Sequence, residues 1–174
     1  LEYGIEPRML TDYIGPAFHH PYDNAVRRPN RVVHGNRSTV ALNGVPRVGP
    51  MDWHTLISLR QDEVARAFHE ATVYYDAQPG GMPGRDRMPR EAALCGCYPV
   101  ILNVGAAATG DVPFIETYPH DKLVQGMEDA LSGRYDMLAF HAYLEWIREA
   151  EKRFREEVHN VFVAAPAPWR KKKW

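Results

Sequence analysis

Cysteine is scarce in this chain: there are two, Cys95 and Cys97, with one glycine between them. Thiols that close in sequence exclude a disulfide framework, so nothing here calls for an oxidising compartment. A charge excess is also missing. The formal net charge is −1, against the basic surplus of a general nucleic-acid binder. The first twenty residues carry Glu2, Glu6 and Asp12 and lack an apolar run, so no secretory signal is legible. The chain starts at Leu1 rather than Met, as expected of a product processed after import into an organelle.

Catalytic signatures are lacking as well. Gly105-Ala-Ala-Ala-Thr-Gly110 has the spacing of a phosphate loop, but Asp111 stands in place of its lysine and Val112 in place of its Ser/Thr. No Gly-x-Ser-x-Gly elbow and no dinucleotide glycine fingerprint occurs. His69-Glu70 lacks the second histidine of a zinc-protease helix. His141 and Glu145 sit one helical turn apart, without the paired Glu-x-x-His motifs of a di-iron site. His19 and His20 point apart in an extended chain, which suits surface or interface polarity. The sequence therefore predicts neither a cofactor nor a metal. Cys95 and Cys97 are the sharpest candidates for thiol or metal chemistry, yet a closed zinc site needs four ligands. Buried free cysteine is the commoner reading.

What is present reads as mostly helical. Residues 1–50 hold six prolines and five glycines without a sustained period and predict an extended arm. Its one strand-like piece is Thr39-Val40-Ala41-Leu42, before the Asn43-Gly44 turn. Asp52 is a good N-cap for a helix over 53–76, with an apolar stripe from Trp53 through Leu56, Val64 and Phe68 to Tyr75. A proline- and glycine-rich loop follows, then a short helix over 89–95. Residues 92–110 carry no formal charge over the length of a membrane span, but Pro99, Asn103 and three glycines favour a buried extended segment at 98–104. A helix over 121–132 stops at Gly133 and turns into a long helix over 135–162. That connection predicts an antiparallel helical hairpin.

The expected architecture is thus mainly α. It has an extended arm at 1–50, a helical domain at 51–163 and a basic tail at 164–174. The long helix should lie in the core as far as Ala150. Beyond it, Phe154, Val158 and Val161 form a narrow seam on a charged helix, as expected of a partner contact. Arg27, Arg28 and Arg31 head a stretch from Asn24 to Met51 with five arginines and no acid, a second candidate contact. The tail, Arg170 to Lys173 followed by Trp174, suits a lipid-headgroup surface.

These features predict a non-catalytic accessory subunit held by other protein subunits of a large assembly. A mitochondrial, membrane-bound energy-converting complex is the first candidate. The alternatives are an organellar ribosomal protein that contacts RNA through its basic arms, and a small enzyme centred on Cys95 and Cys97.

Overall fold

The structure is a computed structural model, and it describes residues 14–19, 27–35, 51–77, 87–104 and 112–160. By contact it divides into two compact units, Ile14–Glu145 and a second comprising Leu1–Tyr13 with Trp146–Trp174. The first unit contains a five-stranded, all-parallel sheet. Its strands are β1 (Arg31–Gly35), β2 (Asp52–Leu56), β3 (Val73–Asp76), β4 (Tyr98–Leu102) and β5 (Thr117–Tyr118), in the spatial order 2-1-3-4-5. Four α-helices accompany them: α1 (Gln61–Glu70), α2 (Met88–Leu94), α3 (Leu123–Leu131) and α4 (Met137–Val158).

The mainly-α expectation is overturned: the fold is α/β, with helices on both faces of the sheet. Register and ring contacts fix those faces. Val73 pairs with Tyr98, so Tyr74 and Tyr98 project to opposite sides. Tyr74 meets Phe68 of α1 edge-on at 5.6 Å, whereas Tyr98 stacks on Tyr135 and leans on Phe140 of α4. A parallel sheet needs both faces covered, because its crossover connections run over them.

Each misreading has a local cause. β1 lies inside the supposed arm, yet it is an inner strand and all five of its residues are buried. A short strand buried on both faces shows no alternation, so no period marks it. The predicted helix over 53–76 is in fact β2, α1 and β3 in succession. Asp52 opens a strand instead of capping a helix, and Ser58, in the left-handed region at φ 53°, ends the extended path. Steps of three and four across Trp53, Leu56 and Phe68 arise by coincidence from residues on separate elements. Val73-Tyr74-Tyr75 is β-branched and aromatic, and strand propensity wins there. The strand-like piece Thr39-Val40-Ala41-Leu42 lies outside the described residues.

The helical hairpin is not the organising feature either. α3 packs on β3 and β4. Its end follows glycine chemistry: Gly133 takes φ +71°, and its N–H reaches the Ala130 carbonyl at 3.1 Å. Asp136 then caps α4, its Oδ1 accepting the Leu138 and Ala139 amides at 2.9 Å each. α4 is amphipathic from its start. Phe140 and Tyr143 are buried, while Leu138 is 81% exposed. Within the second unit, Ile147 and Ala150 are buried and Phe154 and Val158 half-buried. No helix among the described residues is long and apolar enough to cross a membrane.

Candidate functional site

In an open parallel sheet, strands leave in opposite directions from the point where the order reverses, and a crevice opens beyond their carboxyl ends. Here that point lies between β1 and β3. Pairing of His34 with Tyr75 brings the strand ends Gly35 and Asp76 side by side. Three titratable side chains are buried there, His34, Tyr75 and Asp76, and Arg90 is buried in the first turn of α2. α2 starts close to β1: a Cβ on Gly35 would touch the Met88 sulfur at 3.5 Å.

The histidine is fixed by two bonds. Its Nδ1 lies 3.1 Å from the Gly35 carbonyl, which can only accept, so Nδ1 carries the proton. Nε2 lies 2.9 Å from Thr55 Oγ1 and accepts the hydroxyl proton when the ring is neutral. Trp53 adds edge contacts to His34 and Tyr75 at 5.8 and 5.9 Å. The Tyr75 hydroxyl and the Trp53 indole N–H are both buried without a hydrogen-bond partner among the described residues. Burial, and then the neighbouring Asp76 charge, push the Tyr75 phenol up to about 12. It is a neutral donor at physiological pH.

The arginines proposed as partner contacts are engaged within the fold. Arg31 is buried and pairs with Asp52 at 2.9 Å and Glu70 at 2.8 Å, joining β1 to β2 and to the end of α1. Arg28 approaches the same two carboxylates at 3.9 Å. Arg27 donates to the Gly96 carbonyl at 2.7 Å and the Cys95 carbonyl at 3.0 Å. Of the helical seam, Phe154 and Val158 remain half-buried on α4, and Val161 lies outside the described residues.

Both cysteines are buried thiols beyond the end of α2. Cys97 Sγ donates to the Phe68 carbonyl at 2.9 Å, and Cys95 Sγ reaches the Phe18 carbonyl at 3.9 Å. Burial pushes Cys95 up to about 12, with Glu91 raising it further and Arg27 opposing, and drives Cys97 up as well. Neither is a thiolate near neutrality in the metal-free protein, so neither is poised as a nucleophile. No cluster of three metal-ligating side chains forms among the described residues.

Sequence reasoning named none of His34, Gly35 and Asp76 as a site residue, and took His34 only with the arginines of a possible phosphate-backbone contact. The available signal was Val73-Tyr74-Tyr75-Asp76 running into a proline- and glycine-rich segment, the pattern of a strand that ends at a loop. No family model matches the chain, and no curated protein or solved structure matches it significantly.

Proposed function

We propose that this chain is a binding domain for a phosphorylated, nucleotide-type ligand, seated beyond the carboxyl ends of β1 and β3. The observation that carries the reading is the strand order 2-1-3-4-5 with every strand parallel. Sheets of this order bind ligands at the reversal point, so the support is by analogy of architecture. The sequence adds to it. In the sequence, glycine-rich stretches, Gly80 to Gly84 and Gly105 to Gly110, come after β3 and β4, a composition that suits backbone contacts to phosphate oxygens. Buried polar side chains at the strand ends give the crevice floor fixed hydrogen-bonding groups. The Thr55–His34 hydrogen bond joins β2 to β1 within the sheet, and binding rather than catalysis is proposed.

The test is an amide-shift titration of labelled protein with a panel of nucleoside mono- and diphosphates. Saturable shifts at Gly35, Ala77 and Asn103, lost in Asp76→Asn, are the expected result. No shift along this edge at millimolar nucleotide would overturn the reading.

A second reading is the accessory subunit inferred from the sequence, favoured by the exposed apolar pair Met137 and Leu138 at the start of α4. It expects the purified protein to co-sediment with partner subunits. Leu138→Glu should release it without lowering its melting temperature.

A further inference from the structure

Among the described residues, β4 pairs on one side only at its start. β5 joins it at Ile101↔Thr117 and Leu102↔Tyr118, and no other described strand lies beyond Tyr98 and Pro99. A proline is tolerated there because that part of β4 behaves as an edge. Beside that stretch a cleft of about 760 Å³ opens, within the range of small-molecule sites. It lies toward the amino end of the sheet, away from the crevice described above, and is lined from β4, the approach to β5, α3 and the start of α4.

Its polar groups are held in place while keeping capacity for a ligand. Asp129 Oδ1 accepts Arg134 Nη2 at 2.7 Å, Arg134 Nε at 3.0 Å and Gln125 Nε2 at 3.0 Å. The Arg134 hydrogen bonds hold the Asp129 carboxyl below the usual range, so it is ionised. Asp136 uses Oδ1 to cap α4. The Oδ2 of both carboxylates accepts no hydrogen bond among the described residues. Tyr118 bonds Glu116 and is itself bonded by Tyr98, which fixes that wall. Lys122 is exposed and forms no ion pair among the described residues. At the cleft, Phe114 is 58% exposed and held at φ +72°, a conformation that costs a non-glycine residue on the order of 1–3 kcal/mol. Among the described residues the Phe114 ring makes no ring–ring contact.

We infer that this cleft binds a neutral, hydroxyl-rich ligand of the saccharide class, with a sugar ring lying on Phe114. Three carboxylates oppose an anion, and Lys122 with Arg134 opposes a cation. A purely apolar ligand would strand the charged walls without water. Sugar hydroxyls both donate and accept, so they satisfy the open Oδ2 atoms and the Lys122 ammonium together. The C–H face of a sugar covers the exposed ring.

Saturation-transfer NMR and amide-shift titration of the full chain with neutral mono- and disaccharides tests this. Saturable shifts at Phe114, Glu116, Lys122 and Asp136 at millimolar sugar are expected. Phe114→Gly relieves the strained backbone, so it should melt no lower than the parent while binding at least tenfold more weakly. Asp136→Asn keeps the helix cap, because asparagine caps as well as aspartate, and should also weaken binding about tenfold. Three results would each overturn the assignment: no sugar shifting these amides, Phe114→Gly binding as tightly as the parent, or ethylammonium or inorganic phosphate saturating the cleft at lower concentration than every sugar.

Discussion

Gly96 and Gly133 both adopt positive φ, +87° and +71°, yet their surroundings differ. A Cβ on Gly133 would meet open space, whereas one on Gly96 would come within 2.5 Å of the Arg27 guanidinium. That guanidinium holds two carbonyls at the end of α2. Gly133→Ala should therefore cost only the left-handed backbone penalty, about 1 kcal/mol, whereas Gly96→Ala should cost about 2–3 kcal/mol because it also displaces Arg27. Urea denaturation of both variants checks this, and equal losses would mean that the Arg27 contacts contribute nothing. Residue chemistry of this kind was partly legible. Gly133 announced itself by following an apolar helical stripe. Gly96 lay between two cysteines that drew attention to metal chemistry, and its partner is 69 residues away. Likewise, the arginines from Arg27 to Arg31 looked like an unbalanced basic patch only because Asp52 and Glu70, which neutralise Arg31, are distant in sequence.

Elements were legible where a long amphipathic period exists and illegible where the chain is buried on both sides. α3 stops at Gly133 and α4 is capped by Asp136, and both helices lie near the positions expected from sequence. β1 has no such signal. Its five residues follow an arginine-rich stretch, and its neighbours β2 and β3 come from later in the chain. Replacing Val33, which is wholly buried, by aspartate distinguishes the two readings. In an extended arm Val33→Asp would be silent. In an inner strand it buries an unpaired charge, so a loss of more than about 4 kcal/mol, with collapse of the circular-dichroism signal and of amide dispersion, is expected. Retention of a native spectrum would rule β1 out as an inner strand.

At the scale of the whole molecule, several buried acids are held in their protonated form. Cys95 is pushed from 9.0 up to about 12, and Tyr75 and Tyr118 from 10.0 up to about 12, chiefly by burial. Tyr98 and Cys97 move the same way. Each folded value lies above its unfolded one, so the stability it contributes is complete below the unfolded value and is lost as pH rises toward the folded value. Thermal melts should hold steady up to about pH 8 and fall between about pH 9 and 12. Tyrosinate absorbance and thiol reactivity toward a disulfide reagent should appear together with unfolding. Thiols that react in the native protein at pH 8 would contradict the burial of both cysteines.

By itself the sequence determined some local chemistry: the stop of α3 at Gly133, two cysteines too few for a disulfide framework, and the buried segment around Tyr98–Leu102. Only the tertiary structure decided that β1, β2 and β3 are strands of one parallel sheet. Parallel partners are joined by long crossovers, and a strand flanked by others acquires its identity from neighbours that local periodicity cannot register. The same reason hid both candidate sites. Gly35 and Asp76 meet at the reversal of strand order, and Phe114, Glu116 and Asp136 meet where β5 stops short of Tyr98.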